Sequence, residues 1–447
     1  MFKKILIANR GEIGVRIIRA CHELGILAVA IYSESDRDSL HVKLADEAYC
    51  IGKTSAKDTY LNINSIINIA IHSKADAIHP GYGFLSESSV FAKTCEEFNI
   101  CFIGPDYRII DSLGDKSNAK ETMEKAKVPI VRGTKGEISS KSEAIEIAKK
   151  IGYPVIVKAS AGGGGKGMRV ARNKEEIISA IEESEKEAEN YFGNAAVYLE
   201  KYLENTRHVE VQIIGDNYGN VVYLGERDCT IQRRHQKLVE EAPSPAINND
   251  LRHIMGNAAV RACKAVNYNS LGTVEFLLDE DNKFYFMEMN TRVQVEHGIT
   301  EMTTGIDLIK EQILVAQGEK LSFSQEDIKI NGCAIECRIN SENPYENFRP
   351  CPGKINKYIA AGGIGIRIDS AVYSGYSIPP FYDSMISKVI AWGRDRSEAI
   401  ERMRRALDEF VIEGVDTTID FHKQLMKNEI FKSGKFNTNF LEKNKIL

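Results

Sequence analysis

The 447-residue chain contains no run of roughly eighteen apolar residues, the length a helix needs to cross a bilayer, so no membrane span is expected. It also lacks a basic excess. A net charge of -5, from 58 Lys+Arg against 63 Asp+Glu, argues against a polynucleotide groove, which would show as a basic domain or stripe. The nine cysteines include no C-x-x-C pair, and neither His235 nor His297 has a second histidine at ligand spacing, so no zinc site is expected. The apolar stretch in MFKKILIANRGEIG is too short for a signal peptide and runs into a helical pattern. An odd cysteine count without a leader points to reduced thiols and a cytoplasmic setting. Cys229 and Cys337 read as small buried fillers. No internal repeat, low-complexity segment or disordered linker is evident.

Apolar residues at 43% and charged residues at 27% describe a globular protein long enough for two or three domains. The first hundred or so residues alternate strand and helix, which implies a parallel sheet with helices on its faces. Asn9-Arg10-Gly11-Glu12-Ile13-Gly14 approximates a dinucleotide fingerprint but lacks its first glycine, so nicotinamide binding is not expected there. From about Val131 the texture changes to a small α+β module: a helix over Ser142 to Lys150, strands in PVIVKAS and MRVAR, a helix over Glu175 to Tyr191, and VYLEKYL. Its size, about 70 residues, is near the lower limit for independent packing and suits a lid. More strands follow, then a helix around Leu251 to Val266 and a C-terminal amphipathic helix in RSEAIERMRRALDEFVI.

The most informative stretch is EMNTRVQVEH, Glu288 to His297. Run as a strand, it puts Glu288, Asn290, Arg292, Gln294 and Glu296 on one face and Met287, Met289, Val293 and Val295 on the other. An ordinary half-buried strand shows the same alternation, so its neighbours matter. Upstream, LGTVEFLLDEDNKFYFMEMN reads as a hairpin with Glu275 on its first arm and Glu288 and Asn290 on its second. Two carboxylates and an amide oxygen form a hard-oxygen site suited to magnesium, whose other ligands are usually waters and phosphates.

Gly162 to Gly167, GGGGKG, joins strand to strand and fits neither a Rossmann turn nor a P-loop, since Ser160 and Gly167 stand at two of the latter's fixed positions. It reads as a flap whose amides can close over phosphate oxygens, or otherwise as a mobile surface loop. Lys116, Lys158 and Lys166 supply positive charge for a triphosphate. The basic run Gln232 to Lys237 is followed at once by Glu240 and Glu241 and suits a local anion site.

With these parts assembled, the chain resembles the ATP-grasp enzymes, and within them the biotin carboxylases, over essentially its whole length. The matching words are ANRGEI, HPGYGFLSE, GDK, KASAGGGGKGM, ERDCTIQRRHQK, EMNTRVQVEH, ECRIN and FYDSMI. The resemblance implies an α/β and α+β architecture. It would comprise an N-terminal Rossmann-like domain over 1–114, a helical linker over 115–130, a lid over 131–203 and a mixed C-terminal part over 204–447.

The resemblance also implies ATP- and bicarbonate-dependent carboxylation of biotin through carboxyphosphate. It assigns Lys116, Lys158, Glu200, Lys201, Leu203, His208, Gln232 and His235 to the nucleotide, with Gly163, Gly164, Gly165, Lys166 and Gly167 as the flap. Glu275, Glu288 and Asn290 become ligands of Mg2+ or Mn2+. Lys237, Arg292, Gln294 and Val295 hold bicarbonate, Glu296 is the base, Arg338 stabilises the biotin enolate, and Tyr82 stands beside them. The chemistry agrees: a positioned carboxylate can take the proton of bicarbonate, and a planar guanidinium matches a planar anion.

Gly298 stands where the family commonly has proline, Cys351 where serine is usual, and Lys166 where some members carry arginine. No Met-Lys-Met word for biotin attachment is found, Met426-Lys427-Asn428 being the nearest. A separate biotin carrier and a carboxyltransferase are therefore expected as partners, and homodimerisation follows from the resemblance. Glu336 beside Arg338 leaves open a surface ion pair between them. Competing readings are another ATP-grasp carboxylate-amine ligase, a nucleotide-sensing protein without catalysis, and the same module feeding pyruvate or another acyl-CoA.

Overall fold

The β-branched runs KILI and LAVAIY start a five-stranded sheet formed by β1 (Lys4–Ile7), β2 (Leu27–Tyr32), β3 (Glu47–Cys50), β4 (Ala77–His79) and β5 (Cys101–Phe102). In the computed structural model, which describes residues 1–134, 136–160 and 168–447, the strand order is β3-β2-β1-β4-β5. All pairings are parallel. The connections leaving β1 and β4 diverge at the carboxyl ends of these neighbouring strands, the place where open parallel sheets bind ligands. Asn9 to Glu12 follow β1 there and Tyr82 follows β4, and all of them line the large cleft. Gly11 opens the helix Gly11–Glu23 with φ +67, a conformation that suits glycine.

The small module is a three-stranded antiparallel sheet of β6 (Val155–Ala159), β7 (Met168–Ala171) and β8 (Val197–Lys201), in the order β7-β6-β8. The helices Lys141–Ile151 and Lys174–Phe192 cover it. Ala144, Ala148, Val155, Val157, Ile177, Ile181 and Leu199 give it a core of its own. The connection expected to be a flap, including Gly163, Gly164, Gly165, Lys166 and Gly167, lies outside the described residues.

The remainder centres on an eight-stranded sheet. Its first six strands, in spatial order, are β13 (Phe284–Asn290), β12 (Leu271–Leu278), β9 (Arg207–Gly215), β10 (Val221–Arg233), β11 (Gln236–Ala242) and β14 (Cys333–Asn340). The strands Met385–Gly393 and Ile366–Ser370 complete it. Ile214, Leu224 and Val293 from this part share one apolar cluster with Ile5, Ile7 and Ile17 of the parallel sheet. Each such burial contributes ~1.5–3 kcal/mol, so the two sheets form a common wall for the cleft.

Two sequence expectations need correction. EMNTRVQVEH does not run through as a strand: β13 ends at Asn290 and the chain turns, with Glu296 as the N-cap of the helix His297–Thr304. The turn is closed where His297 Nδ1 meets the Gln294 carbonyl at 2.8 Å, and Val293 is drawn into the shared core. At the C-terminal helix, Arg396–Glu409 is helical but Val411–Glu413 is a strand paired with Lys357–Ile359. The β-branched Val411 and Ile412 favour that extended form.

Candidate active site

Every described site candidate from Tyr82 to Arg338 lines a single cleft of about 1590 Å³. Lys116 begins the helix Lys116–Lys125, Lys158 lies on β6, and Glu200 and Lys201 lie on β8. His208 is on β9, Gln232 on β10 and Lys237 on β11. The β10–β11 hairpin turns through Arg234 and His235, with φ 48 and 63. Both residues adopt a conformation usually left to glycine or asparagine, a local cost of order 1–3 kcal/mol where the backbone is held by its surroundings. The turn brings His235 into the cleft lining.

At the nucleotide end, Lys158 pairs with Glu200 at 2.7 Å. Burial first, then the nearby Lys116 charge, push the Lys158 ammonium down to about 8, with Glu288 opposing. Lys120, not anticipated from the sequence, also contacts Glu200 and stands 4.5 Å from the Tyr198 ring centroid. Its signal was its position one helical turn after Lys116. Crowded ammonium groups around a single carboxylate suit a polyphosphate.

In the β12–β13 hairpin, Glu275 and Glu288 are direct cross-strand partners and Thr273 opposes Asn290. Glu275 is buried and accepts from Asn290 Nδ2 and Gln294 Nε2, both at 2.8 Å, while its other oxygen meets His208 Nε2 at 2.7 Å. Loss of hydration within the cleft, then repulsion from Glu275, raise the proton affinity of Glu288, against Lys116 and His208. Like charges directly opposite on a sheet are unfavourable, and a divalent cation between them would remove the conflict. The hard-oxygen set of Glu275, Glu288 and Asn290 therefore fits Mg2+. His208, Glu210 and Glu275 also bring ligand atoms within 4.8 Å. There, however, Lys237 Nζ stands between the two carboxylates, 2.6 Å from Glu210 and 3.2 Å from Glu275.

Beyond this hairpin the charges interlock. Lys237 donates to Glu296 at 2.6 Å, and Arg338 donates to the other Glu296 oxygen at 2.8 Å. Burial would raise the Glu296 carboxyl, but Lys237, Arg338 and Arg227 together hold it well below the usual carboxylate range. Burial would lower the Lys237 ammonium, but Glu210, Glu275 and Glu296 together hold it well above its usual range. Arg292 donates to Glu87 and to Asn290 Oδ1, each at 2.8 Å. Arg227, fully buried, donates to Glu210 and Gln212 at 2.5 Å and to Gln294 at 2.9 Å. Its Nη atoms also reach Thr300 at 3.0 Å and Thr273 at 3.1 Å. The Cys229 and Cys337 thiols are buried and kept protonated by that burial. The surface ion pair left open between Glu336 and Arg338 does not form; Arg338 turns instead to Glu240 and Glu296.

Residues 1–110 match the family described as biotin carboxylase, N-terminal domain, and residues 336–443 its C-terminal domain. Residues 115–324 match the carbamoyl-phosphate synthase L chain ATP binding domain. The chain is 60% identical over 443 residues to biotin carboxylase 1 of Bacillus subtilis (strain 168), covering 99% of this chain and 98% of that one. The chain belongs to the biotin carboxylase family.

A pyruvate carboxylase subunit from Methanothermobacter thermautotrophicus is 56% identical, over 99% of this chain and 90% of its own. Among solved structures, the biotin carboxylase of Campylobacter jejuni, in complex with β-γ-ATP, superposes with TM-score 0.97 at 49% identity, covering 99% of each chain. The biotin carboxylase domain dimer of Hydrogenobacter thermophilus 2-oxoglutarate carboxylase, with MgADP, ADP and bicarbonate, gives 0.96 at 52% identity, over 99% of this chain and 98% of that one. Family membership makes this chain an ATP-dependent ligase with the ATP-grasp fold. Among the described residues, no helix is long and apolar enough to cross a membrane.

Gly298 sits in the first turn of the helix His297–Thr304. A Cβ there would meet Ile390 Cδ1 at 2.5 Å. Proline is tolerated in a first turn and restricts the unfolded chain, a gain of about 0.4–1 kcal/mol where the site accepts it. Gly298→Pro alone should therefore gain little, because buried Ile390 must move. Combined with Ile390→Val, which removes the obstructing methyl, it should exceed Ile390→Val by about 0.5 kcal/mol in urea unfolding. Equal midpoints for I390V and G298P/I390V would show that the methyl is not what limits the site.

Proposed function

We propose that this chain carries out the first half-reaction of acetyl-CoA carboxylase, ATP-dependent carboxylation of biotin held on a separate carrier protein. The observation that carries this reading is Glu296, a buried carboxylate kept ionised between Lys237 and Arg338, in the same cleft as Arg292 and the opposed Glu275 and Glu288. A carboxylate so restrained is a weak base in the empty site. An arriving bicarbonate would draw the Lys237 ammonium and the Arg292 guanidinium to itself. With less positive charge on Glu296, its proton affinity rises as the substrate seats.

Glu296 then takes the bicarbonate proton, an oxygen of the resulting dianion attacks the γ-phosphorus, and ADP departs, leaving carboxyphosphate. Lys116 and Lys158 place charge against the phosphates, and Gln294 and Val295 complete the anion pocket. Magnesium, held by Glu275, Glu288 and Asn290, would offset phosphate charge that otherwise repels an anionic nucleophile. In the second step the carboxyl–phosphate bond breaks, the released phosphate takes the proton of the biotin nitrogen, and that nitrogen forms the bond to the carboxyl carbon. Arg338 stabilises the charge that appears on the ureido oxygen, and Tyr82 shares that end of the cleft. A carboxyltransferase then takes the carboxyl group onward, and a homodimer is the expected assembly.

Relatives named as subunits of pyruvate carboxylase and of 2-oxoglutarate carboxylase, at 56% and 53% identity, carry the same module under the names of other acceptors. Relatives named biotin carboxylase with no acceptor in the name, at 60% and 56% identity, support the shared step, carboxylation of biotin.

The test is ADP release from the purified chain with ATP, magnesium and bicarbonate, with and without free biotin. Carboxyl transfer to acetyl-CoA or pyruvate is then followed after adding a biotinylated carrier and either carboxyltransferase. Bicarbonate-dependent stimulation by biotin, followed by malonyl-CoA formation, is expected. ADP release that ignores bicarbonate, or that responds to an amine and not to biotin, would identify a different ATP-grasp ligase. Transfer to pyruvate alone would reassign the pathway.

A further inference from the structure

The anchoring of Arg338 contains a carboxylate that the reaction above does not use. Glu240 on β11 is fully buried, and one of its oxygens accepts from both Arg338 Nε at 2.7 Å and Arg338 Nη2 at 2.6 Å. The same Nη2 donates to Glu296 at 2.8 Å. One guanidinium thus bridges two buried carboxylates, and only one of them, Glu296, changes charge in the reaction. The second Glu240 oxygen has no hydrogen-bond partner among the described residues.

We propose that Glu240 is a positioning residue that keeps Arg338 anchored once Glu296 has been neutralised by the bicarbonate proton, and so couples ATP cleavage to carboxyl transfer. This rests on the assignment of Glu296 as base and Arg338 as the biotin-facing cation. The proton moves from the bicarbonate hydroxyl to a Glu296 oxygen. No bond forms at Glu240. Its Coulombic surroundings change instead, because the negative charge of Glu296 is one of the groups that favour a proton on Glu240. When that charge disappears, Glu240 becomes more firmly anionic at the moment Arg338 has lost its other partner. Arg338 keeps one anionic anchor throughout and does not swing out of the site between the two steps. Its backbone is already fixed, since the Arg338 carbonyl accepts from Thr418 Oγ1 at 3.1 Å and lies 2.7 Å from His422 Nε2.

The groups around Glu240 are consistent with this role. Glu336 lies directly opposite it on β14 and has no hydrogen-bond partner among the described residues; burial holds its carboxyl protonated well above the usual range, so it adds little charge. Cys229 on β10 is a protonated thiol. Lys237 is engaged by three carboxylates, and Lys388 donates to the Val295 carbonyl at 2.7 Å. On the helix packed over this face, burial keeps His297 neutral and Glu301 is paired with Arg16 and Arg367. Arg338 is therefore the cation that directly engages Glu240. In the resting site burial, then the opposing pull of Arg338 and the push of Glu296, leave the Glu240 carboxyl raised to about 7.

The experiment measures carboxybiotin formed per ADP released, as a function of pH, for the wild-type chain, Glu240→Gln and Glu336→Gln, with ATP, magnesium, bicarbonate and free biotin. Protonated Glu240 cannot anchor Arg338, so the wild-type ratio should fall as pH drops through its titration, at or below about 7. E240Q should give a ratio at least tenfold lower that no longer depends on pH, with Glu240→Asp restoring part of both. E336Q removes a neighbouring acid without touching Arg338 and should keep the wild-type pH dependence. An E240Q ratio equal to wild type, or equal losses in ADP release and carboxybiotin at every pH, would overturn the proposal. A Glu240→Asp ratio no better than that of E240Q would do so in a variant that keeps the charge. Absence of biotin-stimulated ADP release in the wild type would instead remove the underlying functional assignment.

Discussion

Replacing Glu296 with glutamine should lower bicarbonate-dependent turnover by about 10²- to 10⁴-fold, the usual worth of a positioned base, while ATP binding stays close to wild type. Glutamine keeps the side-chain volume and can still accept a hydrogen bond, but it cannot take a proton. The fold should tolerate the change because neither cation is stranded: Lys237 retains Glu210 and Glu275, and Arg338 retains Glu240. The substitution thus separates chemistry from stability. Single-turnover ADP release together with nucleotide titration checks it. A rate within a few-fold of wild type would transfer the role of base to another group, and equal losses in affinity and rate would point to general damage in the cleft.

What the sequence made legible was what lies close along the chain. That Glu275 and Glu288 lie on adjacent strands followed from the hairpin, but their direct opposition did not: a register shift between Glu275 and Phe276 sets Glu288 where the turn alone would set Met287. The same reasoning failed a few residues later. Alternation placed Arg292, Gln294 and Glu296 on a strand, whereas they reach the cleft from a turn and a helix N-cap. Period-two polarity cannot separate a strand from a turn that buries alternate residues for other reasons.

The partners of the site residues were less legible still. Glu336, two positions from Arg338, was the local choice for its ion pair, but the guanidinium reaches Glu240, 98 residues away, across the sheet. Glu87, which holds Arg292 from 205 residues away, could be read only as part of a matching word. Lys120 was within reach of helical spacing, Arg227 stood only inside another matching word, and Glu210 carried no local sign at all. Such contacts are set by which strands become neighbours in the sheet, a property of the whole chain.

Arg227 is where that non-local design should weigh most on stability. Its guanidinium is fully buried and serves Glu210, Gln212, Thr273, Gln294 and Thr300 at once. Arg227→Met keeps much of the volume but removes the charge. Glu210, also buried, then has only Lys237 against it among its ion-pair partners. Breaking a buried pair from one side costs about 3–5 kcal/mol. The surviving contact with Lys237 places the expected loss toward the lower end, readable as a lowered urea midpoint. Gln294 would lose its donor too, so the KM for bicarbonate should rise in whatever fraction remains folded. Arg227→Met with Glu210→Gln removes both charges and should be less destabilised than the sum of the two single changes, because neither charge is then left without the other. If R227M unfolds within about 0.5 kcal/mol of wild type, the size of an ordinary surface substitution, the network does not hold the sheet together. In that case Gln294 must be positioned by its bond to Glu275 alone.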